Sequence, residues 1–132
     1  MKPADYRSLA EFRMLLRRFL VFSEDAARKA GLAPQQHQAL LAIKGAEEND
    51  SPTVGDLAHW LAIKHNSAVG LVNRLVKAGY LSREIYKADR RRVTLALTPA
   101  GERLLADLTA AHRDELRMIT PSLQRLFAML ER

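Results

Sequence analysis

Apolar side chains recur along this chain at two different periods, and the places where the period changes divide it into elements. Between about Asp5 and Lys29, Leu9, Phe12, Leu16, Phe19 and Leu20 fall at the spacing of one helix face, while Arg7, Arg13, Arg17 and Arg18 lie on the other. Gly31 supplies a stop, because helices commonly end on a left-handed residue that glycine adopts at no steric cost. A second helix is expected from Pro34 to about Lys44, with proline in its first turn and Gly45 closing it. The acidic, turn-rich E-E-N-D-S-P that follows reads as a loop. Thr53 then caps a third helix, with Asp56 in the capping-box position and Val54, Leu57, Ala58 and Leu61 at helical spacing. The stretch K-H-N-S breaks the pattern. A fourth helix is expected from about Ser67 to Ala78, capped by Asn66 or Ser67 and ended by Gly79.

The period then shortens. Tyr80–Ile85 and Arg92–Leu97 suit strands, and with the polar stretch Tyr86–Arg91 between them they read as a β-hairpin. Thr98 caps a fifth helix with Pro99 in its first position, and Leu105, Leu108, His112 and Ile119 form one stripe along it. Thr120 and Pro121 are expected to restart the helix, with Leu123, Leu126 and Leu130 following. The expected fold class is therefore mainly α with one small β-hairpin (α+β). A compact lobe at 34–98 lies between two long amphipathic ends, 1–30 and 99–132. Apolar stripes outside a small core pack against each other and against a second copy, so a homodimer through the ends is expected. The alternative is that the ends fold back over the core of a single monomer.

Composition narrows the class. A chain of 132 residues, 48% apolar and 27% charged, is one ordinary globular domain and not a disordered segment. Cysteine is absent, which excludes disulfides, thiolate metal sites and cysteine nucleophiles. No apolar run approaches the roughly 18 residues needed to span a bilayer, and the N-terminus lacks the pattern of a secretory signal. A cytoplasmic protein without a membrane partner is expected. The net charge of +6 is concentrated: residues 51–101 carry eight Lys/Arg against three Asp/Glu, while the flanks are near neutral. A central third that is basic while its neighbours are not is what a polyanion-facing segment requires, although a solvated basic surface has the same count.

The order of elements in that third sharpens the reading. Helix, tight break and helix over residues 53–79 is the order of a helix-turn-helix. Val69, Val72, Leu75 and Val76 are expected on the buried side of its second helix, and Ser67, Gly70, Asn73, Arg74 and Lys77 on the other. Small residues there permit close approach to a duplex, Asn and Ser reach base edges, and cations hold phosphates. The hairpin adds Lys87, Arg90, Arg91 and Arg92 at or beside its tip, with Asp89 among them. Such a loop can set a guanidinium in the minor groove, and a helix-turn-helix followed by a basic hairpin is a winged helix.

The run A-D-R-R-R-V-T-L-A-L-T-P-A-G, Ala88 to Gly101, resembles the wing signature of the MarR family of bacterial transcriptional regulators, on Asp89, Arg91, Leu97, Thr98 and Gly101. G-L-A-P-Q-Q at the second helix, N-S-A-V-G-L-V-N-R-L-V-K-A-G-Y-L at the fourth, and the long terminal helices extend the resemblance over essentially the whole chain, as one MarR-like domain. The sequence departs from the family at Ala33, where members often carry a Thr or Ser cap, and in its short C-terminal segment. The resemblance implies a homodimeric, ligand-responsive repressor of a near-palindromic operator in double-stranded DNA. It implies Asn66, Ser67, Asn73 and Arg74 in the major groove and Lys77 nearer the backbone. Arg91 would be the minor-groove arginine and Asp89 its brace, while Arg90 and Arg92 contact either phosphate or the protein body. Small aromatic or phenolic anions bound between the terminal helices and the DNA-binding lobe are the family's frequent effectors.

Other chemistry has less support. His37, His59, His65 and His112 contain no i, i+4 pair, and a zinc site needs three or four converging ligands, so packed or pocket-lining histidines are expected, with no metal and no cofactor. Glu47, Glu48 and Asp50 read as a solvated loop, and Trp60 as a partly buried core aromatic. No phosphate-cradling loop, nucleophile elbow or zincin motif occurs, so no enzyme activity is expected. The remaining alternatives are a winged-helix protein-interaction module and a nucleoid-type DNA binder of low specificity.

Overall fold

In the computed structural model, which describes residues 1–47, 51–85, 89 and 91–131, the chain forms α1 (Pro3–Lys29), α2 (Pro34–Ala46), α3 (Val54–Leu61), α4 (His65–Lys77), β1 (Leu81–Ile85), β2 (Val93–Leu97) and α5 (Pro99–Leu130). The strands pair antiparallel, with Leu81 opposite Leu97 and Ile85 opposite Val93. This is the mainly helical architecture with one hairpin that the periodicity predicts.

Local chemistry sets most boundaries. The Asp56 amide donates to Thr53 Oγ1 at 3.2 Å and the Thr53 amide to Asp56 Oδ2 at 2.9 Å, a complete capping box. Ala33 has no cap to offer, and Gln36 takes over by accepting its amide at 2.7 Å. Gly31 and Gly79 adopt φ of +83° and +87°, and each is followed by an amide that returns to the preceding helix, Leu32 to the Ala27 carbonyl and Tyr80 to that of Leu75.

Four boundaries differ from the sequence expectation. Gly45 lies inside α2, which runs on to Ala46. The turn between α3 and α4 falls earlier than K-H-N-S: Ala62 takes the left-handed conformation and Ile63 N–H reaches the Ala58 carbonyl. Consequently α4 starts at His65 behind Lys64, without a side-chain cap, and Asn66 and Ser67 lie in its first turn instead of capping it. Nor does the last helix restart at Thr120 and Pro121. It continues through them, because a proline on an exposed face removes one backbone bond while packing against α1 holds both halves.

The core joins the lobe to the long helices. Leu40 and Ile43 of α2, Leu57 of α3, Leu71, Val72 and Leu75 of α4, Leu81 and Leu95 of the strands, and Leu105 and Leu108 of α5 are all buried in one cluster. The buried stripe of α4 is Ala68, Leu71, Val72 and Leu75, whereas Val69 and Val76 are only half-buried. Trp60, expected as a partly buried core aromatic, is instead exposed, with 45% of its surface in solvent, and stands outside the core cluster that its neighbour Leu57 enters.

A close backbone approach lies where the segment after α4 meets the start of α5. Thr98 Oγ1 accepts the Gly101 amide at 3.1 Å and donates to the Gly79 carbonyl, while the Thr98 amide donates to the Tyr80 carbonyl at 3.1 Å. Gly101 faces that same carbonyl so closely that a Cβ built there would stand 2.2 Å from its oxygen. Only glycine fits.

Beyond the core, α1 and α5 pack along each other. Ser122 Oγ donates to Glu11 Oε1 at 2.8 Å, and Arg125 donates to the same oxygen. Those two bonds hold the Glu11 carboxyl below its ordinary range, Arg125 contributing most. This packing leaves apolar side chains uncovered on both helices, among them Leu16, Leu20, Leu116, Phe127 and Leu130.

The Gly101 contact yields a sharp test. Gly101→Ala must push the Tyr80 backbone away and is expected to destabilise the chain by about 1 to 3 kcal/mol, the usual range for overpacking. Gly31→Ala, where the added methyl meets nothing within 4 Å, isolates the cost of a positive φ alone. Urea midpoints of both variants, compared with the parent, measure the difference.

Candidate nucleic-acid interface

The exposed side of α4 holds the residues singled out from the sequence. Asn66, Ser67, Asn73, Arg74 and Lys77 all face solvent, and Gly70 between them leaves room for Arg74, whose Nη1 would lie 3.4 Å from a Cβ at that position. Among the described residues no acid forms an ion pair with Arg74 or Lys77. Their charge is directed outward.

The hairpin supplies a second cationic group, with its own support. Asp89 Oδ1 accepts the Arg91 amide at 3.0 Å and Arg91 Nε at 3.3 Å, while the Arg92 amide donates to the Asp89 carbonyl at 3.0 Å. The Arg91 side chain is 92% exposed. An ion pair this exposed adds at most about 1 kcal/mol to stability, so what it contributes is orientation. Arg92 takes the other direction. It is half-buried, and Nη2 donates to the Ser51 carbonyl at 3.2 Å, which is the alternative in which it contacts the protein body. Together with the 2.7 Å bond from the Leu95 amide to the Pro52 carbonyl, it fastens the base of the hairpin to the segment entering α3. Thr53, Gly55, His65 and Arg91 line the cleft between that entry and the wing. Lys87 and Arg90, like Glu48 and Asp50, lie outside the described residues.

Sequence reasoning missed Arg83. From β1 it donates to Asn73 Oδ1 and so joins the exposed face of α4 to the hairpin as one polar surface. The only available signal was its place on the strand directly after the fourth helix.

A second constellation lies between the lobe and the long helices. His112 of α5 packs edge-on against Phe19 and Phe22 of α1, with centroids at 5.7 and 5.3 Å, and lies 4.8 Å from the His37 ring of α2. Its ring nitrogens lie 2.6 Å from the Leu108 carbonyl and 2.8 Å from Ser23 Oγ. His37 is 4% exposed, and burial, followed by the neighbouring His112, lowers its pKa below the ordinary value. Among the described residues no cluster of three or more His, Asp or Glu has the arrangement to hold a metal ion. Nearby, an open groove of about 390 Å3 between α2 and α5 is lined by Lys44, Glu102, Leu105, Thr109 and Arg113. Lys44 is held there by Glu102 at 2.9 Å and Glu47 at 3.0 Å, which raise its pKa.

Comparison with known proteins agrees with this geometry. A model of the MarR family matches residues 30–92. Over 100 residues the chain is 35% identical to a Bacillus subtilis (strain 168) protein described as an uncharacterized HTH-type transcriptional regulator, YcgE. That match covers 74% of this chain and 61% of the relative, so the chain spans about three fifths of its length. Two solved structures share the fold. One is the Staphylococcus aureus MepR–DNA complex, with 18% identity, TM-score 0.70, and coverage of 91% of this chain and 88% of that one. The other is AbsC from Streptomyces coelicolor, a MarR family transcriptional regulator, with 19% identity, TM-score 0.70, and coverage of 93% and 82%.

The buried histidine makes stability depend on pH. Because the folded state lowers the His37 pKa, its contribution is complete above the ordinary value of 6.5 and is lost as pH falls from there to the folded value, where the unfolded chain binds the extra proton first. Thermal midpoints are expected to drop between pH 7.5 and 5.5, and the drop should shrink in His37→Gln. An identical drop in the variant would assign the effect to other groups.

Proposed function

The chain belongs to the MarR family, and from that premise we propose that it is a sequence-specific DNA-binding transcriptional regulator that acts as a homodimeric, ligand-responsive repressor of a near-palindromic operator. One observation carries this reading: Arg74 and Lys77, which form no ion pair among the described residues, share the exposed face of α4 with Asn73, which Arg83 of the hairpin bonds, and His65 at the start of α4 lines one cleft with the exposed Arg91. In this reading α4 enters the major groove, with Asn66, Ser67, Asn73 and Arg74 toward base edges and Lys77 toward phosphate. Arg91 enters the adjacent minor groove, whose negative potential favours a guanidinium. Asp89 limits the conformations of that side chain before binding, and Arg92 holds the wing to the body.

The remaining regions take complementary roles. Residues 34–98 form the DNA-binding lobe of a single domain, and residues 1–30 and 99–132 form the dimerisation region. The uncovered apolar side chains of α1 and α5 support this assignment, since a monomer gains nothing from leaving them in water. A two-fold axis there would set two copies of α4 in successive major grooves, about 34 to 36 Å apart. The groove beside Arg113 suits a small aromatic anion, which has an apolar floor at Leu105 and a cation at the rim. Regulation of transcription assigns the protein to the cytoplasm.

Two experiments test the reading. Arg91→Ala is expected to weaken binding to many duplexes together and to lower the salt slope by about 1, whereas Asn73→Ala relaxes preference at one or two positions by roughly 1 to 3 kcal/mol per lost base contact. Affinities for selected and random duplexes across a salt series measure both. Equal behaviour of Arg91→Ala and the parent at every salt would remove the wing from the interface. For the dimer, Phe127→Asp combined with Leu130→Asp introduces charge on the uncovered stripe without entering the monomer core. Sedimentation should show a dimeric parent and a monomeric variant that binds operator DNA more weakly. A variant that remains dimeric would move the interface elsewhere.

A further inference from the structure

Asn73 does not present both ends of its amide outward. Arg83 Nη2 donates to Asn73 Oδ1. A guanidinium carries donors only, so the end of the amide that meets it is the oxygen, and Nδ2 with its two hydrogens is the end left over. Both side chains are exposed, and among the described residues no acid forms an ion pair with Arg83, so its pairing with Asn73 has no charged competitor.

On the reading that this surface enters the major groove, the pairing selects a base. Adenine offers an acceptor at N7 and a donor at N6, so an asparagine engages it with both ends of the amide. Guanine offers two acceptors, N7 and O6, and thymine one, O4, beside a methyl group. We propose that Arg83 is a specificity-determining positioning residue: by occupying Asn73 Oδ1 it makes Asn73 a reader through donors alone, directed to guanine instead of adenine. The guanidinium also draws electron density from the amide through the shared bond, which strengthens the outward N–H donors. Arg83 itself reads no base.

The inference rests on the DNA-binding reading, and one experiment separates the two. The parent chain, Arg83→Ala, Asn73→Ala and the double variant each select duplexes from a random-sequence DNA library, and sequencing gives the base preference at every position. The parent is expected to favour guanine at one or two positions per half-site, a preference that Asn73→Ala loses. Arg83→Ala is expected to shift those same positions toward adenine, changing the guanine-to-adenine ratio by about fivefold or more, the lower end of what a good bidentate contact discriminates. Without Asn73, removal of Arg83 should change no preference further.

Two results would overturn the inference while leaving the function intact. In the first, Arg83→Ala keeps every preference of the parent while weakening all duplexes by one common factor, as loss of a phosphate contact does. In the second, its effect on base preference persists in the Asn73→Ala background, which would make Arg83 a reader in its own right. If the parent enriches no sequence from the library, the DNA-binding reading fails and this inference fails with it.

Discussion

The contact between Gly101 and the Tyr80 carbonyl is the constraint on which the rest of the arrangement depends. It brings the backbone at the end of α4 against the backbone at the start of α5, closer than any side chain would permit. Thr98 closes the same junction by capping α5 while bonding to Gly79 and Tyr80. The exposed face of α4 and the axis of the long helix are therefore fixed relative to each other by this backbone contact and the bonds of Thr98, together with the packing of Leu105 and Leu108 in the core. The hairpin is fixed as well, because Tyr80 immediately precedes β1 and Thr98 immediately follows β2. The α4 face, the hairpin and the long helix share one origin.

The two ends of the chain are solved differently from its middle. In the lobe, apolar residues of five elements converge on one buried cluster, each large side chain contributing on the order of 1.5 to 3 kcal/mol relative to exposure. Along the distal parts of α1 and α5, part of each apolar stripe is covered within the protomer and part stays exposed, while polar links such as Glu11 to Ser122 and Arg125 tie the two helices together. Burial alone does not distinguish these regions in the sequence, since both show apolar residues at the same helical spacing. Only the packing separates a stripe consumed within the protomer from one left available.

What was legible in the sequence was local. The Thr53–Asp56 box, the Thr98 cap and the stops at Gly31 and Gly79 follow from chemistry within four residues, and each is found where the sequence puts it. The start of α4 was not legible, because the turn is made by Ala62 in a conformation that alanine rarely adopts and the helix begins without a capping side chain. Asn66 and Ser67 are good caps by type, and this misassigned them. Continuation through Pro121 depends on packing against α1, which no window around the proline contains. The exposed positions of the candidate site were readable from helix periodicity, but the Arg83–Asn73 bond spans ten residues and two elements and needed the tertiary fold.

A helix of 32 residues is about 48 Å long, and α5 meets the lobe at one end, where Thr98 and Gly101 stand. Such a helix works as a long lever. A change of about 5° in its inclination at that root moves the far tip by about 4 Å, on the 1.5 Å rise per residue of an α-helix. Conversely, a displacement of several ångströms at the tip is reduced to a few degrees at the lobe. The geometry that makes the terminal helices long also sets the gearing between motion at one end of the molecule and orientation at the other.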